Sequence, residues 1–136
     1  MALVLDASVA LAWCFEDEAS AFTDRVQESL VRDAGLVPAI WALEVANALR
    51  VGERRRRLLG ADVARFVELM CALPIMVDAP LVPRDLGPVL SLARAHDISS
   101  YDAAYIELAA REGLPLATQD SRLRVTAKRV GVRLVP

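Results

Sequence analysis

Residues 3–8, which read LVLDAS, place an aspartate directly after a run of three apolar residues. Similar short apolar runs recur at 36–37, 75–77, 116–117 and 132–135. Segments with helical periodicity separate these runs, and this alternation is typical of a parallel sheet whose strands are joined by helical crossovers. Because ligands gather beyond the carboxyl ends of the strands in open parallel sheets, we expect Asp6 to lie at the functional edge.

The intervals between the apolar runs have the periodicity of amphipathic helices. Helices are predicted at residues 19–32, 39–56, 61–72, 84–95 and 102–112, with shorter ones after Ser8 and Ser121. A chain of 136 residues fits one domain of ordinary size, so we expect a single domain over residues 1–136. The predicted fold class is α/β, with a short parallel sheet of about five strands.

The composition is unusually apolar for a globular chain, with 55% hydrophobic and 25% charged residues. This excess favours a buried partner interface, and we expect a homodimer. The net charge of -2 excludes a uniformly basic nucleic-acid coat but allows a local basic patch. No apolar run approaches the roughly 18 residues of a membrane span, and the amino terminus has no basic region typical of a signal peptide, so we expect a soluble cytoplasmic protein.

Cysteine and histidine are too sparse for several common kinds of site. Cys14 and Cys71 lie far apart in apolar stretches, which favours small core residues over a disulfide or a zinc site. His96 is the only histidine, so neither a zinc centre nor a Ser-His-Asp arrangement can be built around it. Candidate chemistry must therefore come from other side chains.

Four carboxylates occur in apolar surroundings along the chain. They are Asp6, Glu44, Asp102 and Asp120. Asp6 and Asp120 follow predicted strands, whereas Glu44 lies in the middle of a predicted helix on an otherwise apolar stripe. Asp102 begins another helix, where a negative charge complements the helix dipole. We therefore expect all four side chains to point toward one partly buried region.

Each carboxylate also has an ordinary structural interpretation. Asp6 can be a turn residue at a strand end, Glu44 a charge at the rim of the core, and Asp120 a helix N-cap. Asp102 can be the acid of a Ser99-x-x-Asp102 capping box. Considered one at a time, the two interpretations remain open.

Considered together, the four carboxylates favour a metal site. Burying several carboxylates is costly without a positive charge, and we expect no basic partner from their local sequence. Oxygen ligands select a hard cation, so the sequence predicts an Mg²⁺ or Mn²⁺ site with Asp6, Glu44, Asp102 and Asp120 as ligands and catalytic residues.

A basic run follows the helix that carries Glu44. It consists of Arg54, Arg55, Arg56 and Arg57, preceded by Arg50. Such a run can bind the phosphates of a nucleic acid, or it can be a solvated helix end with a favourable dipole interaction. Both interpretations remain open.

Several longer stretches resemble the PIN-domain family and, more closely, the VapC-type toxins of bacterial toxin-antitoxin pairs. They are LVLDASVALAWCFEDE (3–18), VPAIWALEVANALR (37–50), ISSYDAAYIELAAREGLPLATQDSRL (98–123) and VGVRLV (130–135). Residues 52–97 match only in pattern. The four carboxylates match the acidic positions of the family, and none of them departs from it.

The resemblance implies a three-layer α/β/α sandwich and a metal-dependent endoribonuclease that cleaves RNA. It also implies that a cognate VapB-like antitoxin inhibits the enzyme. Ser8 and Thr118 match hydroxyl residues that support the acids, and Asn47 lies one turn after Glu44, as it often does in this family.

Two other functions are alternatives to a nuclease. A phosphoryl-transfer domain also places acids at strand ends, but the stretch Asp6-Ala7-Ser8 lacks the second aspartate of an Asp-x-Asp motif. A catalytically silent PIN-fold module that binds RNA or protein is the other alternative. The complete acidic set argues against such a module.

Overall fold

The fold is built on a four-stranded parallel sheet, which the computed structural model describes within residues 2–136. The strands are β1 (Leu3–Leu5), β2 (Gly35–Val37), β3 (Ile75–Val77) and β4 (Leu116–Ala117). Their order across the sheet is β3-β2-β1-β4, and every neighbouring pair is parallel. This sheet, flanked by helices, confirms the predicted α/β fold class.

Seven α-helices and two short 3₁₀ helices occur in the described part of the chain. The α-helices are α1 (Ala7–Ala12), α2 (Ala21–Ser29), α3 (Trp41–Arg54), α4 (Gly60–Ala72), α5 (Leu86–His96), α6 (Ser100–Glu112) and α7 (Ser121–Val130). The 3₁₀ helices span Glu16–Glu18 and Pro83–Asp85. Every predicted helix is present, although several ends shift by a few residues.

Helix α2 shows why the predicted ends shift. It begins at Ala21 because Ser20 is its N-cap: the Thr23 backbone N–H donates to Ser20 Oγ at 3.2 Å, and the Ser20 N–H donates to Thr23 Oγ1 at 2.9 Å. A reciprocal cap of this kind fixes the first turn. Apolar periodicity does not detect it, because neither side chain is apolar.

The prediction of a fifth strand at residues 132–135 is wrong. This segment makes a single parallel bridge, between Leu116 and Leu134. The Leu116 N–H donates to the Arg133 carbonyl at 2.8 Å, and the Val135 N–H donates to the Leu116 carbonyl at 2.9 Å. Because β4 has only two residues, its outer edge offers too little backbone for a longer ladder.

The core is centred on β1 and β4, whereas β3 is an exposed edge. All residues of β1 and β4 are buried, and α6 packs Tyr105, Ile106 and Leu108 against them. In β3, Met76 and Val77 are 61% and 59% exposed. Burial of both faces of the central strands explains their uninterrupted apolar sequence.

The two cysteines lie in different surroundings. Cys14 is partly buried against the core, as expected, but Cys71 is exposed on α4, so its interpretation as a core residue is wrong. Both are free thiols. Across the described residues, no helix has the combined length and apolar character that a membrane crossing requires.

Candidate functional site

The chain reverses its direction across the sheet between β1 and β4. Strands β1, β2 and β3 follow one another toward one edge, and β4 then joins the opposite side of β1. Such a reversal leaves a crevice at the carboxyl ends of the two strands. The Asp6 N–H donates to the Ala117 carbonyl at 3.0 Å, so Asp6 and Thr118 meet at this crevice.

Two hydroxyl groups hold the buried Asp6 carboxylate. Its Oδ2 atom accepts hydrogen bonds from Ser8 Oγ at 2.6 Å and from Thr118 Oγ1 at 2.7 Å. These hydroxyls also accept hydrogen bonds, Ser8 Oγ from the Gln119 N–H at 3.2 Å and Thr118 Oγ1 from the Asp120 N–H at 3.0 Å. Asp6 is thus held by residues from the segment after β1 and from the segment after β4.

Glu44 lies in the first turn of α3, not in the middle of the helix as predicted. The prediction began this helix at residue 39, but α3 begins at Trp41, after a turn in which the Trp41 N–H donates to the Pro38 carbonyl. Glu44 is half-buried, and its Oε1 accepts a hydrogen bond of 2.6 Å from the Tyr105 hydroxyl. This bond joins α3 to α6.

Asp102 and Asp120 lie at the beginnings of two other helices. Ser99 is the N-cap of α6 and accepts the Asp102 N–H at 3.0 Å, which places Asp102 in the first turn. Asp120 is itself the N-cap of α7, where Oδ1 accepts the Leu123 N–H at 2.9 Å. The capping interpretation is therefore correct for Asp120, whose second carboxylate oxygen remains for other partners.

The four carboxylates act on one another electrostatically. Burial raises the pKa of Asp6, and Asp120 adds to this, against the lowering effect of Ser8 and Thr118. Burial likewise raises the pKa of Glu44, with further contributions from Asp6 and Asp102. The pKa of Asp102 is also raised, first by burial and then by Asp120 and Asp6. The structure therefore brings all four predicted acids into one interacting cluster.

Sequence reasoning missed two members of this region. Arg122, an exposed residue in the first turn of α7, lowers the pKa of Asp102 and so opposes the larger effects of burial and the neighbouring acids. The expectation of no basic partner was therefore wrong, although Arg122 follows Asp120 by only two residues. The second is Tyr105, whose position one turn after Asp102 places it on the same helical stripe.

The remaining predicted site residues lie outside the cluster. Asn47 is exposed on α3, and within residues 2–136 it makes no hydrogen bond to the acids. The arginine run begins at the last residue of α3, about 15 Å along the helix axis from Glu44. Arg57 contacts Asp17 at 3.0 Å, and its guanidinium lies 4.3 Å from the centre of the Phe15 ring.

The chemistry of the donors fits a hard divalent cation. Carboxylate oxygens are the ligands that Mg²⁺ and Mn²⁺ prefer, and the mutual repulsion of the acids gives a cation a favourable place. The side chains do not form a closed cage: among residues 2–136, no three Asp, Glu, His or Cys side chains are grouped closely enough to hold an ion. Binding would thus require the carboxylates to draw together or water molecules to join them to the ion.

Comparison with known proteins gives one family and several similar folds. The family model described as PIN domain matches residues 3–129 of this chain. No curated protein sequence matches the chain. Among solved structures, PAE2754 from Pyrobaculum aerophilum is 26% identical with a TM-score of 0.68, and the match covers 93% of this chain and 79% of that one.

Two further solved structures are complexes that share the fold. VapBC2 from Rickettsia felis, bound to a DNA fragment from their promoter, has a TM-score of 0.68 at 10% identity and covers 99% of this chain and 98% of that one. FitAcB from Neisseria gonorrhoeae has a TM-score of 0.59 at 21% identity, with 100% and 97% coverage. At these identities, the likeness concerns the fold alone.

Asp6→Asn is expected to stabilise the metal-free protein at neutral pH. Because the folded-state pKa of Asp6 is raised, the carboxyl group favours folding below its ordinary pKa and loses this contribution as the pH rises through the raised value. The amide removes the buried charge but can still accept the Ser8 and Thr118 hydrogen bonds. Urea unfolding in chelator between about pH 4 and pH 7 measures the effect.

The informative quantity is the difference in unfolding free energy between Asp6→Asn and the wild type, which should grow in favour of the variant as the pH rises. Glu68→Gln, on the exposed side of α4, is the matched control and should show no such growth. A constant difference for Asp6→Asn across this pH range contradicts the prediction.

Proposed function

The chain belongs to the PIN domain family, and we propose that it is an Mg²⁺- or Mn²⁺-dependent endoribonuclease. PIN domains are typically nucleases and generally depend on a metal. The observation that carries the proposal is the cluster of four interacting carboxylates at the carboxyl ends of β1 and β4. Three of them have raised pKa values, first because of burial and then because of the charges of neighbouring acids. A positive charge at the cluster would therefore be stabilising.

In the proposed site, Asp6, Glu44, Asp102 and Asp120 hold the metal. When bound, Mg²⁺ or Mn²⁺ supplies positive charge at the scissile phosphate and makes water a better nucleophile at neutral pH. Ser8 and Thr118 keep the Asp6 carboxylate in one orientation. Hydrolysis by water leaves a 5′-phosphate and a 3′-hydroxyl on the RNA products.

Replacing any one of the four acids by its amide is expected to abolish most RNA cleavage while the protein remains folded. An amide keeps the shape of the side chain but removes the charge that binds the ion. The loss should exceed the roughly 10–100-fold that is typical when a residue that only orients a metal ligand is changed. Cleavage of a labelled single-stranded RNA is measured with Mg²⁺, with Mn²⁺ and with chelator.

The four variants are Asp6→Asn, Glu44→Gln, Asp102→Asn and Asp120→Asn, and circular dichroism checks that each is folded. Glu112→Gln at the end of α6 is the control for loss of a surface charge. Wild-type cleavage by any two of the four, with contaminating nuclease excluded, refutes the assignment of the site.

We also propose that Arg54, Arg55 and Arg56 bind RNA phosphates. All three are exposed, and within the described residues none forms an ion pair. Arg57 differs because it already contacts Asp17 and Glu18 and covers the Phe15 ring. The part of the run that is free for a substrate is therefore its first three residues.

A triple alanine variant of Arg54, Arg55 and Arg56 is expected to weaken RNA binding without loss of stability. Each lost phosphate contact lowers the slope of log K against log salt by about 0.7 for a single strand, so the slope should fall by about 2. Fluorescence anisotropy in chelator over a range of salt concentrations measures it. Arg57→Ala is the comparison, because loss of its contacts should lower the thermal midpoint instead. An unchanged slope in the triple variant would show that the run is a solvated helix end and does not bind RNA.

A cognate VapB-like antitoxin is the proposed partner. Support comes from the resemblance of the sequence to VapC-type toxins and from the fold shared with the VapBC2 and FitAcB complexes. An apolar groove of about 350 Å³ between α3, α4 and β3 gives a site for an apolar helix. Side chains that line it include Trp41, Val45, Leu49, Phe66, Val67 and Met70.

The proposed homodimer is supported by exposed apolar side chains near the start of α5. Val82, Leu86 and Leu90 are 43%, 55% and 39% exposed, and Leu86 and Leu90 lie one turn apart on the same side of the helix. A symmetric pair of chains would bury such a face. Sedimentation at micromolar concentration tests this, and a monomer contradicts it.

The antitoxin is expected to compete with the metal. If its tail places an arginine against the carboxylates, that guanidinium provides the positive charge that the ion otherwise supplies. Because the coupling is reciprocal, the complex should bind Mn²⁺ more weakly than the free enzyme, by roughly 5–150-fold. Electron paramagnetic resonance of free Mn²⁺ measures both affinities. Equal affinities refute displacement of the metal, although the antitoxin could still bind in the groove.

A further inference from the structure

We propose that Tyr105 is a positioning residue that holds Glu44 in the orientation needed for metal binding, an inference that rests on the proposed function. Tyr105 lies on α6, one turn after Asp102, and is completely buried. Its hydroxyl donates to Glu44 Oε1 at 2.6 Å, across 61 residues of sequence. It therefore acts on the ion through Glu44.

The position of the Tyr105 hydroxyl links Glu44 to the other end of the site. The hydroxyl lies close enough to Asp6 for that carboxylate to raise the pKa of Tyr105, after the larger effects of burial and of the bond to Glu44. Asp6 is itself fixed by Ser8 and Thr118. The hydroxyl that bonds Glu44 therefore lies beside an acid that is itself held by two hydrogen bonds.

Packing alone does not account for a tyrosine at this position. A phenylalanine ring would fill the same space in the core. A buried hydroxyl, by contrast, lowers the stability of the protein unless it forms a hydrogen bond, because burial removes its hydration. Glu44 is only half-buried, at the start of α3, so without a donor it could turn toward solvent. The hydrogen bond holds one carboxylate oxygen and leaves Oε2 for an ion.

Loss of the hydroxyl should weaken the metal site without affecting contacts to RNA. In Tyr105→Phe, Glu44 must be ordered when the ion binds, and we expect the Mn²⁺ affinity to fall by roughly 10–100-fold. Because Tyr105 is buried, it cannot touch the substrate. At saturating metal, the KM for RNA should therefore stay within about twofold, while kcat falls if Glu44 remains poorly oriented.

Titration with Mn²⁺, followed by electron paramagnetic resonance in the absence of RNA, tests the proposal. The variants are Tyr105→Phe and Tyr101→Phe, which make the same chemical change on the same helix. Tyr101 is 62% exposed, and in the described structure its hydroxyl bonds no acid, so Tyr101→Phe should bind Mn²⁺ like the wild type. A purely structural role for Tyr105 would lower the thermal midpoint of Tyr105→Phe and leave its Mn²⁺ affinity unchanged.

A double variant tests whether Tyr105 acts through Glu44. In a Glu44→Gln background, Tyr105→Phe should cause little further loss of Mn²⁺ affinity, because the group that it positions no longer carries charge. Additive losses would show a different route and overturn the proposal.

A measurement on the unaltered protein keeps the proposal open to refutation if Tyr105→Phe does not fold. The Tyr105 hydroxyl proton, buried and hydrogen-bonded, should give an NMR signal that shifts on addition of Mg²⁺ and saturates with the ion. A signal that does not respond to Mg²⁺ overturns the proposal.

The outcomes distinguish this inference from the function on which it rests. If the wild type binds Mn²⁺ and Tyr105→Phe binds it equally well, only the role of Tyr105 is refuted. If the wild type binds no Mn²⁺, the metal-dependent nuclease and the role of Tyr105 are refuted together.

Discussion

The parallel pairing of β1 with β4 is the constraint on which the candidate site depends. It brings Asp6 beside Thr118, 112 residues later in the chain, and the hydrogen bond of 2.7 Å between them closes this junction. Neither strand is longer than three residues, so the pairing relies on complete burial of both. The central core and the site are thus one structure, because the strands that exclude water also carry the acids at their carboxyl ends.

The four acids share a second feature, which is their position at the beginning of a helix. Asp6 and Asp120 are N-caps, while Glu44 and Asp102 lie in first turns. Helix N-termini carry partial positive charge, so the fold offers each carboxylate some compensation. This compensation is incomplete, because burial and the neighbouring acids still raise the pKa of three of the four. The site is therefore held together by packing at some electrostatic cost.

Much of this arrangement could be predicted from the sequence, because it follows from periodicity and residue type. Short apolar runs predicted the sheet and its functional edge, and acids that follow strands or lie on helices with apolar stripes predicted the members of the acidic cluster. What depends on three-dimensional contact could not be predicted. The position of Tyr105 on the same helical stripe as Asp102 could be predicted, but not the bond from its hydroxyl to Glu44, which lies 61 residues away in the sequence. Likewise, residues 132–135 have the composition of a strand, but they make a single bridge to β4, which has two residues.

Under the proposed function, the repulsion among the buried carboxylates affects stability, catalysis and inhibition together. Protons, a divalent ion or a basic side chain of a partner can each neutralise the cluster. Once one of them has reduced the repulsion among the carboxylates, the others bind less favourably. They must therefore compete, whatever the detailed geometry of each bound state. Arg122 already acts as a basic side chain of this kind within the chain itself. It lowers the pKa of Asp102, but burial and the neighbouring acids have the larger effect. Because Arg122 is exposed and lies at the rim, its charge can favour an approaching phosphate while leaving the buried Asp6 carboxylate available to an ion.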